Sequence, residues 1–137
     1  MKKIAVSACL LGRNCKYNGG NNFSPRLAAL LEGRQVIPIC PEEHLGTPRA
    51  PMELVDGVLM NRDGTVMDKT VRSAVAEVLQ ALRQEDVELC ILQSRSPTCG
   101  VNQIYDGSFS GRLVTGMGVL AEALHKAGFR VVDVEDL

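Results

Sequence analysis

The sequence predicts an α/β fold: a mostly parallel sheet flanked by helices, Rossmann-like, with a small β-hairpin insertion. Three observations predict it. Apolar runs of strand length occur at 3–8, 35–40, 87–93 and 129–134. Segments at 68–85 and 115–128 carry apolar residues at helical spacing and fall between strands. Strands that alternate with helices pair in parallel, because a crossover returns the chain to the same edge of the sheet. The 137 residues are expected to form one domain, 1–137, since this length buries a real core and leaves little for a second.

Each element has a local cause. The first strand is a short apolar run ending at Cys9, followed by a loop rich in glycine and asparagine from Gly12 to Asn22. Ser24 then caps a helix with Pro25 at its first position. Leu27, Leu30 and Leu31 are expected on one face of that helix, and Gly33 ends it. The second strand, 35–40, contains Pro38, which cannot donate to a ladder and so favours an edge or a bulge. A loop with three prolines covers 41–52. Residues 55–60 and 65–66, around Asn61-Arg62-Asp63-Gly64, are expected to form the hairpin. Val71, Val75, Val78, Leu79 and Leu82 mark the clearest helix. Residues 87–93 make a buried strand with Cys90 in its middle. The stretch 94–114 reads as loop, 115–128 as the last helix and 129–134 as the last strand.

Apolar residues make up 45% of the chain and charged residues 23%, and the net charge is −1. These values suit a soluble globular protein and argue against general binding to nucleic acid or to an anionic membrane. There is no Trp, and only two Tyr and three Phe, so the core is expected to be aliphatic. The basic then apolar N-terminus is too short for a secretory leader, and a strand explains it better. No run is long enough for a membrane span. The expected location is the cytoplasm.

Five cysteines are many for a cytoplasmic chain of this size, and point to metal or thiol chemistry rather than disulfides. Ligands of open parallel sheets bind outside the carboxyl ends of the strands. That rule sorts the cysteines. Cys9 follows the first strand, Cys40 ends the second, and Cys99 lies in the loop after the strand ending near Gln93. All three should reach one rim. Cys90, inside a strand, should point into packing. Cys15, in a loop at the same edge, remains a candidate. A closed zinc site takes four ligands, usually from Cys-x-x-Cys pairs, and none is present. A 4Fe–4S cluster on three cysteines keeps one iron open as a Lewis acid, for which soft sulfur is a natural ligand.

Other residues near the rim are candidates. Glu42, two residues after Cys40, is placed to act as a general acid or base, or else is a solvated loop carboxylate. Ser96, three residues before Cys99, is placed to orient water or substrate, or else caps a turn. Tyr105-Asp106-Gly107 is a turn signal that offers Tyr105 and Asp106 as substrate contacts. His44 is a lone loop histidine. Two further motifs compete. Cys9 after a strand is like the loop of phosphatases and arsenate reductases, but the sixth residue on is Cys15, not arginine; a Cys9–Cys15 dithiol reductase leaves Cys40 and Cys99 unexplained. Gly116-Met-Gly-Val-Leu-Ala121 with Asp133 matches a dinucleotide fingerprint, yet lacks the strand and further sheet that it needs, and a glycine-rich helix start with some capacity for anions explains it more simply.

Taken together, Ser-Ala-Cys-Leu-Leu-Gly at 7–12, Cys-Pro-Glu at 40–42, Pro-Arg-Ala-Pro-Met-Glu at 48–53, Ser-Pro-Thr-Cys-Gly at 96–100 and Tyr-Asp-Gly-Ser-Phe-Ser-Gly at 105–111 resemble the thiouracil desulfidase family. The resemblance covers nearly the whole chain in the same motif order. It implies an α/β domain with a 4Fe–4S cluster on Cys9, Cys40 and Cys99. It implies removal of sulfur from a thiolated pyrimidine such as 2-thiouracil at the free iron, C=S becoming C=O with release of sulfide, assisted by Glu42 and Ser96. Two departures bear on substrate choice: a short stretch at 43–47, and Tyr17-Asn18-Gly19 where Tyr-Asp-Gly is usual. Relatives acting on thiolated uridine in RNA carry an extra C-terminal domain, absent here, so a small thiolated nucleobase or nucleoside is the expected partner, for a monomer or homodimer. The alternatives from other classes are a non-catalytic iron–sulfur or metal sensor and a thiol reductase.

Overall fold

Residues 2–137 are described by the computed structural model. Among them the strands are β1 Lys3–Ser7, β2 Gln35–Ile39, β3 Met52–Val55, β4 Val58–Asn61, β5 Val87–Leu92, β6 Gln103–Tyr105, β7 Leu113–Thr115 and β8 Val131–Asp133. The helices are α1 Pro25–Leu30, α2 Asp68–Arg83 and α3 Val119–Lys126. The strands β2, β1, β5 and β8 lie side by side in that order, and each neighbouring pair is parallel. The α/β class predicted from alternation is therefore the fold observed.

The pleat of β1 and β5 divides the core into two layers. Ala5, Cys90 and Leu92 face α2 and α3, with Val71, Val75, Leu82, Leu120 and Leu124. Ile4, Val6 and Ile91 face the other way, against Leu10, Leu27 and Leu31. Both faces of the sheet are thus covered, as parallel sheets require. Leucines dominate the fully buried side chains, as the scarcity of aromatics predicts. Cys90 is fully buried in this packing.

Local chemistry explains most boundaries. The Ser24 hydroxyl accepts from the Leu27 amide at 3.1 Å, and Pro25 opens α1. Leu27 and Leu31 pack inward, but Leu30 is 57% exposed. The helix has only six residues, and only the i, i+4 pair reaches the sheet. Pro38 lies in β2, an edge strand, as its missing N–H predicts.

Three elements differ from expectation. The hairpin is β3–β4 and turns at Asp56-Gly57, where both residues have positive φ (49° and 81°); the turn at 61–64 closes only one further bridge, Met60 to Val66. An Asp-Gly pair suits a two-residue turn of this hand, whereas Asn-Arg-Asp-Gly at 61–64 forms a separate turn at the end of β4. Residues 94–114 are not wholly loop, because β6 and β7 form a second antiparallel hairpin. Its strands have three residues each and carry no periodicity that a sequence scan resolves. Finally, α3 begins at Val119, while Thr115 belongs to β7.

The start of α3 is fixed by the turn that carries Cys99. The amides of Gly118, Val119 and Leu120 donate to the carbonyls of Gly100, Pro97 and Thr98 at 2.8, 3.0 and 2.8 Å. Gly118 permits this approach, since a Cβ there would lie 2.4 Å from the Thr98 carbonyl carbon. The Gly-x-Gly-x-x-Ala motif is therefore a docking surface for the chain's own loop, and these amides are not free for an anion. Asp133 is likewise engaged: its carboxylate accepts from the Ser94 hydroxyl and from the Glu135 amide.

Substituting Gly118→Ala should cost about 1–3 kcal/mol, as forced overpacking does. Urea unfolding of the apo chain checks this by a lower midpoint at unchanged slope; an unshifted midpoint would mean that the loop is not held against α3.

Candidate active site

Cys9 lies in a 3₁₀ turn, Ala8–Leu11, directly after β1. Cys40 follows the last residue of β2, and Cys99 lies in the turn after β5. These strands are neighbours, so three adjacent carboxyl ends each deliver one cysteine. Adjacent strands lie about 4.8 Å apart, which spaces the three loops along one rim. Cys9, Cys15, Cys40 and Cys99 line a single cleft of about 500 Å³ together with Glu42, Arg49, Ser96, Thr98 and Tyr105. That volume lies within the range of small-ligand sites, about 300–1,000 Å³.

A shallower cleft of about 740 Å³ lies between the Cys40–His44 segment and α2. It shares Cys40 with the first cleft and has no other cysteine, and His44 faces it rather than the cysteine-lined one. The four-cysteine cleft is the one with chemistry.

All five cysteines are free thiols. Burial raises the pKa of Cys9 and of Cys40. Burial also pushes Cys99 up to about 12, and burial followed by the neighbouring Cys40 pushes Cys15 up to about 12. The thiols therefore keep their protons at neutral pH. The Asn22 amide group lies 3.5 Å from Cys9 Sγ and the Thr98 hydroxyl 3.7 Å from Cys99 Sγ. Among the described residues no three His, Cys, Asp or Glu side chains are gathered tightly enough to hold one metal ion.

Glu42 and Ser96 both line the cleft. Ser96 accepts from the amides of Thr98 and Cys99, each at 3.1 Å, so it caps the cysteine turn. Its hydroxyl also lies 2.9 Å from Thr98 Oγ1. Thr98 Oγ1 in turn donates to Glu42 Oε2 at 2.7 Å. A threonine hydroxyl has one proton. Thr98 gives it to the carboxylate, and Ser96 donates to Thr98. Ser96 and Glu42 are thereby joined in one hydrogen-bonded chain.

Tyr105 lines the cleft, whereas Asp106 is not among its walls. The Asp106 carboxylate accepts from the amide and hydroxyl of Ser108 and holds its own turn. Sequence reasoning missed Thr98, Arg49, Glu53, Arg62 and Phe109, all of which line the cleft. Glu53 Oε1 accepts from the amides of Gly107 and Phe109 at 3.0 and 3.1 Å, and so ties the β6–β7 hairpin loop to β3. The Arg62 guanidinium lies 5.8 Å from the Phe109 ring centroid and donates to the Phe109 carbonyl. Arg49 and Glu53 both belong to the Pro-Arg-Ala-Pro-Met-Glu motif. An arginine and an acid inside one proline-rich motif were the available signal.

A family model described as 2-thiouracil desulfurase matches residues 4–136. The uncharacterized protein YbbK of Bacillus subtilis (strain 168) is 33% identical, over 98% of this chain and 97% of its own. The solved structure of a 4Fe–4S-dependent thiouracil desulfidase, TudS, is 31% identical and superimposes with a TM-score of 0.90, covering 100% of this chain and 93% of that one. No helix among the described residues is long and apolar enough to cross a membrane.

The buried thiols predict a pH dependence. Burial pushes Cys90 from its ordinary 9.0 up to about 11. Above pH 9.0 the unfolded chain releases this proton while the folded chain keeps it, which favours unfolding. The contribution is full below pH 9.0 and is lost as pH rises towards about 11. Urea midpoints of the apo chain should stay level from neutral pH to about 9 and then fall, and Cys90→Ala should flatten part of the fall. A midpoint that rises over this window would contradict the assignment.

Proposed function

Because the chain belongs to the 2-thiouracil desulfurase family, we propose that it removes sulfur from a thiolated pyrimidine such as 2-thiouracil. Water exchanges C=S for C=O and sulfide leaves, with no net redox change. The observation that carries this proposal is the convergence of Cys9, Cys40 and Cys99 from three adjacent strand ends beside the Glu42 carboxylate.

The donor set fits an iron–sulfur cluster. Three thiols line one rim of a partly enclosed cleft, with the Asn22 amide group close to the Cys9 sulfur. A 4Fe–4S cluster held by Cys9, Cys40 and Cys99 would supply a Lewis-acid position at its one iron without a protein ligand, matched to a soft substrate sulfur. Glu42 is placed to take a proton from the attacking water or to pass one to the departing sulfur or ring nitrogen. Ser96, whose hydroxyl is committed to Thr98 and to the amides of Thr98 and Cys99, acts on the attacking oxygen through that chain, by holding Thr98 and hence Glu42 in place. Tyr17, Tyr105 and Phe109 wall the outer cleft and suit a flat ring.

In this proposal the 1–137 domain works in the reducing cytoplasm, where free thiols persist. Its substrate is a small base or nucleoside, and every group named comes from one chain, so a monomer or a homodimer serves equally.

Anaerobic reconstitution with iron and sulfide should give a brown protein that converts 2-thiouracil to uracil and sulfide. Cys9→Ser, Cys40→Ser and Cys99→Ser should each lose bound iron, and Cys15→Ser should keep it. Glu42→Gln should keep iron and lose about 10²–10⁴-fold in kcat, the usual worth of a general acid–base group. A colourless protein with stoichiometric zinc would overturn the cluster, and a brown protein without turnover on thiolated pyrimidines would make it a non-catalytic cluster carrier.

A further inference from the structure

We infer that Arg49 is a positioning residue, which with Thr98 holds the Glu42 carboxylate in its working place from opposite sides. The inference rests on the desulfidase function proposed above and adds to it the means by which its proton carrier is oriented.

The guanidinium of Arg49 is nearly buried, its side chain 12% exposed, and so is the Glu42 side chain at 15%. Nη1 donates to the Gly46 carbonyl at 2.8 Å. Nη2 donates to the Cys15 carbonyl at 2.9 Å and reaches Glu42 Oε1 at 3.4 Å. The backbone amide of Arg49 donates to the Tyr17 carbonyl at 2.7 Å. One side chain thus stitches together the loop after β1, the segment after β2 and its own proline-rich loop. On the other side Thr98, in the turn after β5, donates to Oε2 of the same carboxylate at 2.7 Å. Glu42 is thus held by the Cys99 turn directly and is tied to the loop after β1 through Arg49.

A purely structural arginine would be expected to satisfy its donors. Arg49 Nε is instead the one buried side-chain nitrogen or oxygen among the described residues that has no hydrogen-bond partner. Polar groups left unsatisfied in a native interior call for an explanation, and breaches of local rules concentrate at functional sites. The guanidinium fork is aimed at two carbonyls and one carboxylate, and that aim leaves Nε unpaired. Lysine cannot reproduce such a fork.

The test is a double-mutant cycle on the anaerobically reconstituted full chain. Each variant is assayed for iron and sulfide content, visible absorption, and kcat and KM with 2-thiouracil. Arg49→Met should keep the cluster absorption and lower kcat by about 10- to 100-fold, the scale on which slight misplacement of a reacting group costs rate, with KM nearly unchanged. Arg49→Lys should recover part of the loss. In a Glu42→Gln background Arg49→Met should cost almost nothing further, because coupled residues are not additive. Wild-type kcat in Arg49→Met, or the same fold-loss in both backgrounds, would overturn the inference. Should Arg49→Met fail to load iron, the same cycle with Arg49→Lys or Thr98→Val decides. Should the wild type leave every thiolated pyrimidine untouched, the proposed function fails by itself. Positioning is then judged on the apo chain carrying glutamate labelled at its carboxyl carbon. The Glu42 signal, assigned by its loss in Glu42→Gln, should shift in Arg49→Met and in Thr98→Val, and an unmoved signal overturns the inference.

Discussion

The site depends on the seating of the Cys99 turn against the first residues of α3. Helix starts leave amides without partners, and here the carbonyls of Pro97, Thr98 and Gly100 take those of Val119, Leu120 and Gly118. Leu120 and Leu124 anchor the same helix in the fully buried core. The turn therefore inherits the rigidity of the core although it belongs to a connection. The turn that carries Ser96, Thr98 and Cys99 is bonded at Pro97, Thr98 and Gly100 to a helix anchored in the core. Glycine at 118 is the condition for this contact, since any Cβ would meet the Thr98 carbonyl.

From that fixed point the cleft is assembled by sheet topology. Strands β2, β1 and β5 end side by side, and the residues beyond them bring Cys40, Cys9 and Cys99 to one rim. Burial raises the pKa of these thiols, so in the proposed function metal loading would release protons. Glu42 lies within the same rim, braced by Thr98 and Arg49. The hairpins β3–β4 and β6–β7 add the outer wall, joined by Glu53 to the amides of Gly107 and Phe109. The parallel sheet supplies donors and the hairpins supply shape.

The legible parts of this molecule were those with a period or a position rule. Pro38 marked an edge strand, Ser24-Pro25 a helix start, and Cys90 a packed interior, each for a local reason that the structure repeats. The carboxyl-edge rule brings Cys9, Cys40 and Cys99 to one rim, and all three line the same cleft. What escaped notice depends on contacts between distant segments. Thr98 was read only as part of a motif, because nothing near it in sequence announces a bond to Glu42, 56 residues away. Arg49 was one of fifteen basic residues until its burial set it apart. The β6–β7 hairpin is too short to carry alternation, and the two turns near 56 and 61 competed for one hairpin signal.

In the proposed function three cysteines hold a cluster whose remaining iron is open to a substrate's sulfur. Mössbauer spectroscopy of the chain reconstituted with isotopically enriched iron, recorded without and with 2-thiouracil, tests it most directly. The account predicts a 4Fe–4S spectrum in which one iron site differs from the other three and alone shifts when the thiolated base is added. Four equivalent sites that ignore the base, or a cluster retained after Cys99→Ser, would contradict it.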